Sequence, residues 1–305
     1  MMTTPARTPD PAPGVRQTAG DTDGFVPLFD GATLAGWHSV PRVYGTAYPG
    51  GPRIDDLMRE YGVSTPPHPE KHPARWSARD GELVGEQAVP GYGGYLVTDD
   101  SFGDFELVLE MRPDWPADTG VMVRRRRDSW DGFQILVDHR ESGSIGGFYG
   151  NGLAGFSAVP FALASRRDAE GTVVGLTADD PATSAEPVTP DKIDRLSHAA
   201  GVEDFLSVWR FGDWNELRIR CVGALPTLTT WVNGLKVAEL DTARLRSPGY
   251  DPGAVLDLLG PRGHIALEVH DNDSHFGEAR WGVGAVCRWR NIRIKNLDTQ
   301  KANRP

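Results

Sequence analysis

The feature that most constrains this chain is an alternation of apolar and polar residues with a period of two. Phe105, Leu107, Leu109 and Met111 alternate with Glu106, Val108, Glu110 and Arg112. Successive side chains of a strand point to opposite faces, so such a segment buries one face and leaves the other polar. The pattern recurs. Val121 and Val123 oppose Met122, Arg124 and Arg126, and Phe133, Ile135 and Val137 oppose Gln134, Leu136 and Asp138. Leu217, Ile219 and Cys221 oppose Glu216, Arg218 and Arg220, and Ile265, Leu267 and Val269 oppose His264, Ala266, Glu268 and His270. In "TLTTWVNGLKVAEL", Asn233-Gly234 joins two β-rich runs, a strong hairpin signal. No βαβ alternation and no repeat interrupts this rhythm. We therefore expect an all-β, antiparallel sandwich with few short helices.

Helix signals are confined to residues 53–62 and to "TPDKIDRLSHAAG", where Thr189 would cap, Pro190 start and Gly201 stop a helix. Two polar stretches, 38–75 and 166–204, read as long insertions at the rim of the sandwich. The opening residues 1–22 are rich in Pro, Thr, Ala and Asp, cannot build a core, and read as a disordered tail. One domain is expected over 23–298, with a short tail at 299–305.

Charge narrows the function. The net charge of −10 lacks the electrostatic footprint of a nucleic-acid binder, and the one dense basic run is Arg124 to Arg127. A neutral or weakly polar ligand suits this balance. The two cysteines, Cys221 and Cys287, sit in strand contexts and are expected as reduced, buried thiols. No apolar run reaches membrane-spanning length and the first residues lack an apolar signal core, so the expected location is the cytoplasm.

The polar faces carry the candidate chemistry. Arg124, Gln134, Asp138, Glu268 and His270 occupy outward positions and would line one surface if their sheet curves. The alternative is an ordinary solvated sheet face. "DHRESGSIGGFYGNG", residues 138–152, ends a strand with Asp138-His139-Arg140 and continues with closely spaced glycines and interleaved Phe148, Tyr149 and Asn151. Glycine lets a backbone approach a ligand closely, and aromatic faces suit sugar rings. We expect this stretch as a loop forming the floor or wall of a sugar trough. "HDNDSH", from His270, is a polar turn that could also hold a divalent ion through His270, Asp271 and Asp273, with Asp138 nearby. There is no P-loop, no G-x-G-x-x-G and no G-x-S-x-G, and no strand carries the paired carboxylates of a laminarinase-type glycosidase.

Several landmarks, taken together, resemble a known family. They are "GFVPLFDGATLAGW", "WSARDGELVG", "YLVTDDSFGDFELVLEMR", "TGVMVR", "WNELRIRCVG", "TTWVNGLKVAEL", "GHIALEVH" and "CRWRNIRIKNL". Their order and spacing over about residues 24–298 resemble the 3-keto-disaccharide hydrolase domain family. The resemblance implies a concanavalin A-like jelly roll acting on glycosides already oxidised at C3 by a partner dehydrogenase. A base would remove the C2 proton, the C3 oxygen would take enolate charge, and the C1 substituent would leave by β-elimination. His270 matches the family's final His and Arg124 the Arg that ends its "SGxxxR" strand. Gln134 stands where members carry Glu, and either Asp138 or His139 takes the following Asp place. Glu268 replaces a Gln. The acid/base set expected on this basis is Asp138, His139, Glu268 and His270, with His270 or Glu268 as the C2 base and Arg124 at the enolate oxygen. Gln134 and Asn151 would read hydroxyls, while Trp130, Tyr149 and Phe148 would offer aromatic faces. No cofactor is required, though a divalent ion could replace Arg124. The ligand is a small or oligosaccharide glycoside, with neither nucleic acid nor membrane as partner. The competing readings are a non-catalytic carbohydrate-binding module, a conventional endo-glucanase, and an interaction scaffold.

Overall fold

The protein is described by a computed structural model covering residues 24–43, 64 and 66–298. The helix expected at 53–62 lies outside the described residues.

In chain order the strands begin with β1 (Val26–Pro27), β2 (Trp37–Pro41), β3 (Arg75–Arg79), β4 (Glu82–Glu86), β5 (Gly94–Thr98) and β6 (Phe105–Pro113). There follow β7 (Asp118–Arg125), β8 (Gly132–Asp138), β9 (Ile145–Asn151), β10 (Ser157–Ala158), β11 (Leu163–Arg167) and β12 (Val173–Ala178). The last six are β13 (His198–Ala199), β14 (Asn215–Val222), β15 (Thr227–Val232), β16 (Leu235–Asp241), β17 (His264–Val269) and β18 (Val286–Asn296). Three α-helices, α1 (Pro190–Asp194), α2 (Val202–Val208) and α3 (Pro252–Leu259), and two short 3-10 helices, Pro69–Lys71 and Gly277–Arg280, complete the regular structure among the described residues.

The strands form two facing antiparallel sheets. One has the order β13-β16-β15-β14-β6-β18-β4-β3, with β1 added to β18; the other has the order β10-β9-β8-β7-β17-β5-β2. Strands far apart in sequence are neighbours, as in a jelly roll, and β11-β12 forms a separate hairpin. Between the sheets lies one core, in which Leu107, Leu109, Val121, Ile135, Leu267 and Trp289 are buried. Both thiols are free and buried there, as expected. The alternation in the sequence therefore translates directly into an inner face, and the Asn233-Gly234 turn closes β15 onto β16 with both residues at positive φ.

Two expectations need correction. The glycine-rich stretch is not a loop: residues 145–151 are β9, paired with β8 on one side and β10 on the other. Its glycines are there because other side chains press on the backbone. A Cβ at Gly146 would meet Val237 at 2.7 Å, one at Gly147 would meet Val159 at 2.9 Å, and one at Gly150 would collide with the Phe156 ring. The expected helix from Thr189 to Gly201 ends at Asp194, and Thr189 makes no side-chain cap. Beyond it the chain is captured by a sheet edge, where Ser197 N donates to Glu239 O and Ala200 N to Val237 O. Gly201 then opens α2 instead of closing α1.

Candidate functional site

The second sheet turns its other face away from the core. Residues alternate along each strand, so the register decides what meets there. Tyr95 on β5 stands opposite Glu268 on β17, Met122 on β7 opposite Gln134 on β8, and Asp118 opposite Asp138. Toward β2, a small apolar patch of Tyr95, Val97, Met122, Trp130 and Ala266 covers this face. Toward the ends of β17, β7 and β8, the face becomes ionic.

Glu268 lies at the middle of it and is fully buried. Arg42, one residue beyond β2, donates through Nε to Glu268 Oε1 at 2.8 Å and through Nη1 to Asp271 Oδ1 at 2.5 Å. Gln134 donates to the other oxygen of Glu268, and Asn151 donates to Gln134 Oε1 at 3.2 Å. Gly120 makes room for this arrangement, since a Cβ there would stand 2.8 Å from Gln134 Nε2. Both oxygens of the buried carboxylate are thus paired, which burial of a charge requires.

His270 links this pair to a second group. Its Nδ1 lies 2.6 Å from Asp271 O, its Nε2 lies 3.0 Å from Arg42 Nη2, and Nε2 is 3.8 Å from Asp118 Oδ2. Arg280 donates to Asp118 Oδ2 at 3.0 Å and to Asp273 at 2.9 Å. Arg140 reaches Asp138 at 3.1 Å and Glu186, from the long polar insertion, at 2.6 Å. Phe276 takes both guanidiniums on its ring, Arg140 at 4.0 Å and Arg280 at 4.9 Å from the centroid.

Three guanidiniums here face six carboxylates: Glu268, Asp271, Asp273, Asp118, Asp138 and Glu186. Burial pushes the Asp138 carboxyl up to about 7; Arg140 pulls against this, and the Asp118 charge opposite adds to it. Asp118 is pulled the other way. Burial would raise it, but His270, Arg280 and Arg140 together hold it below its usual range. Two carboxyls at one rung of the sheet are therefore split, one ionised and one titrating near neutrality, the arrangement that acid/base chemistry uses. Asp118 Oδ1 is buried with no hydrogen-bond partner. The His270 imidazole is raised: burial and Arg42 push it down, while Asp118 and Asp271 outweigh them.

Of the residues expected from sequence, Asp138, Glu268, His270, Gln134 and Asn151 converge on this face. Tyr149 pairs with Gln134 across β8 and β9, and Trp130 lies in the apolar patch, 3% exposed. Three do not. Arg124 has φ 50°, which breaks the alternation and turns its side chain out of the face. It donates instead to the carbonyls of Phe102, Gly103 and Gly223, at 2.8 Å for the first and last. Arg125 takes the outward place, its guanidinium 4.6 Å above the Tyr95 ring. His139 follows Asp138 and so points the other way. It is buried among Trp115, Trp209 and Phe211, with its pKa held down at about 4 by burial. Phe148 lies in the core between the sheets.

The proposed cation ligands are also distributed differently. Asp271 is held by Arg42 and Asp273 by Arg280, and among the described residues no three His, Cys, Asp or Glu groups converge to hold a metal. Sequence reasoning named Arg140 at the end of its strand without giving it a role, and missed Arg42, Asp118 and Arg280. Asp118 was accessible from the β7–β8 hairpin register; the arginines carry no local signal.

Solved structures of similar fold include two candidate glycosyl hydrolases from Parabacteroides distasonis ATCC 8503. One is 13% identical, with TM-score 0.45 over 90% of this chain and 95% of that one; the other is 18% identical, with TM-score 0.41 over 78% and 94%. The carbohydrate binding module CBM66 from Bacillus subtilis is 12% identical, with TM-score 0.39 over 73% and 92%. No curated protein matches the chain. A family model does, over residues 24–295, and the chain belongs to the family it describes, the 3-keto-alpha-glucoside-1,2-lyase-like domain.

Proposed function

We propose that this protein cleaves the glycosidic bond of sugars already oxidised at C3, by proton abstraction at C2 and β-elimination. Family membership ties the chain to carbohydrate chemistry. The observation that carries the finer reading is the Asp118–Asp138 rung, with Asp138 raised by burial to about 7 against Arg140, and Asp118 held by His270 and Arg280.

A ketone at C3 acidifies the C2 hydrogen. In this reading Asp138, ionised, takes that proton. The C2–H electron pair moves to the C3 oxygen as an enolate, and Arg280 stabilises the charge. The enolate returns its electrons to form the C1–C2 double bond and expels the C1 oxygen. The proton donated to that leaving oxygen is assigned to His270, whose imidazole Asp118 and Asp271 raise against burial and Arg42. Arg42, Gln134 and Glu268 hold the floor rigid. Water added to the enone afterwards gives net hydrolysis. The reaction class upstream is a dehydrogenation at C3, which must supply the keto-sugar.

The test is turnover of an aryl 3-keto-glucoside beside its unoxidised parent, in buffered D2O. Cleavage of the keto-sugar alone, with deuterium entering C2 of recovered substrate, is expected. Cleavage of the parent alone would overturn the proposal in favour of a conventional glycosidase. Binding of both without turnover would leave a carbohydrate-binding module.

A further inference from the structure

The stretch from Leu163 to Glu186, which includes the β11–β12 hairpin, is fastened at both ends to Ser142 and Gly143. Ser142 N donates to Leu163 O at 2.8 Å, and Leu163 N donates to Gly143 O at 2.8 Å. At the far end Ala185 N donates to Ser142 Oγ at 3.0 Å, and the Ser184 and Ser142 hydroxyls lie 3.1 Å apart. Ser142 and Gly143 closely follow Asp138 and Arg140 in the chain, so the next residue of the stretch, Glu186, is delivered to the Arg140 guanidinium. The junction also packs on the Asp138 carboxyl, since a Cβ at Gly143 would stand 2.6 Å from Asp138 Oδ1.

Arg140 has little left to give. Its Nη1 donates to Glu141 O at 2.8 Å, and its Nε makes no hydrogen bond and stands 3.8 Å from Asp118 Oδ2. The Phe276 ring holds the guanidinium from its face, 4.0 Å from the centroid. Nη2 therefore serves both carboxylates, Glu186 Oε2 at 2.6 Å and Asp138 Oδ2 at 3.1 Å. An arginine that closes on one carboxylate commonly makes two parallel bonds of ~2.7–2.9 Å. Asp138 receives one longer contact from the guanidinium, and the shorter one goes to Glu186. The Glu186 side chain is 42% exposed, whereas Asp138 is buried. The other charges around Asp138 are Asp118, opposite on β7, and Arg280, which Asp118 and Asp273 hold; His270 faces Asp118. Glu141 turns away onto Ser165 and Arg167, and Lys192 donates to Pro187 O behind Glu186.

We infer that Glu186 is a positioning residue of the active site: by taking the shorter share of Arg140 Nη2, it keeps that guanidinium from closing on Asp138 and so leaves Asp138 able to act as a base. With two nitrogens on Asp138, Arg140 would hold the carboxylate ionised but weakly basic, as a close cation does. The half-exposed end of the insertion thereby sets the pH at which the buried base forms. The catalytic role of Glu186 rests on the elimination reading above, but its grip on Asp138 is measurable without substrate.

The experiment follows the Asp138 carboxyl itself, by carboxyl-carbon NMR of the full chain carrying isotope-labelled aspartate, with the signal assigned by its loss in Asp138→Asn. Glu186→Gln keeps an acceptor for Arg140 and removes the charge. Its Asp138 midpoint should fall about one pH unit below that of wild type, the lower end of what a neighbouring charge produces. Glu186→Asp keeps the charge and should move the midpoint by less than half as much. In parallel, kcat/KM for an aryl 3-keto-glucoside is measured against pH. Its acid-side midpoint should fall with the NMR midpoint, so that Glu186→Gln outpaces wild type below the wild-type midpoint. A residue that only anchors the insertion would lower the rate without moving either midpoint. An Asp138 midpoint unchanged by Glu186→Gln, or moved equally by the Gln and Asp variants, overturns the inference. A shifted NMR midpoint beside an unmoved rate profile overturns the catalytic role of Glu186. If the NMR midpoint shifts but wild type cleaves no keto-sugar, elimination falls and the hold of Glu186 on Asp138 stands.

Discussion

Asp118 and Asp138 stand directly opposite each other across β7 and β8, two buried carboxyls at one rung of an antiparallel pair. Like charges so placed repel, and Arg140, Arg280 and His270 resolve the conflict by favouring ionisation of Asp118. Asp138 then titrates near 7. Asp138→Asn should lower turnover of a 3-keto-glucoside by ~10²–10⁴-fold, the usual worth of a positioned acid/base group. In the wild type, kcat/KM should rise with pH through about 7 as Asp138 ionises. A variant that keeps more than a tenth of the activity would remove Asp138 from the role of base.

The same group has a stability signature. Its folded pKa of about 7 lies above the unfolded value of ~3.9. The folded state therefore keeps a proton that the unfolded chain releases. This contribution is complete below the unfolded pKa and is lost as pH rises through 7. Urea midpoints of wild type and Asp138→Asn should diverge in favour of the variant between pH 5 and pH 8. A constant difference would mean that Asp138 titrates as an ordinary carboxyl.

His139 should act with the opposite sign. Its folded pKa of about 4 lies below the unfolded value of ~6.5. Its contribution is present above the unfolded pKa and lost as pH falls through the folded one, by about 3 kcal/mol at most. His139→Phe should flatten the loss of stability between pH 6.5 and 4, read by denaturation at several pH values. Its activity should survive, because the ring lies among Trp115, Trp209 and Phe211 and not on the ionic face.

Arg42 holds two buried carboxylates at once. Arg42→Met removes the guanidinium that both share and should cost about 3–5 kcal/mol in chemical denaturation. Arg42→Met combined with Glu268→Gln should recover part of that loss, since one uncompensated charge is gone. Additive effects in this double-mutant cycle would show that the pair is not coupled.

Arg124 gives a control of a different kind. Its guanidinium satisfies three backbone carbonyls inside the fold. Arg124→Met should lower stability by about 2–4 kcal/mol, since buried acceptors lose their donors. Among the molecules that remain folded, kcat and KM should match wild type. A selective fall in kcat at full stability would return Arg124 to the chemistry.

The sandwich follows from local pattern alone. Alternation is a local property, and the inner faces of β6, β7, β8, β14 and β17 could be read residue by residue because burial requires them to be apolar. The hairpin at Asn233-Gly234 was equally local. Asp138, Gln134, Glu268 and His270 were legible for the same reason, as polar residues at outward positions of otherwise apolar strands. The tertiary structure decided what the pattern could not carry. A positive φ at Arg124 exchanged its place with that of Arg125, and no periodicity announces a bulge. The glycines of β9 read as a loop because the Val237, Val159 and Phe156 side chains that exclude a Cβ arrive from elsewhere in the chain. Arg140 meets Asp138 and Arg280 meets Asp273 nearby in the chain, but Arg42, Arg140 and Arg280 also bind Glu268, Glu186 and Asp118, which lie 226, 46 and 162 positions away. Charge compensation acts through space, so the face that gives Asp138 its unusual proton affinity exists only once these segments have met.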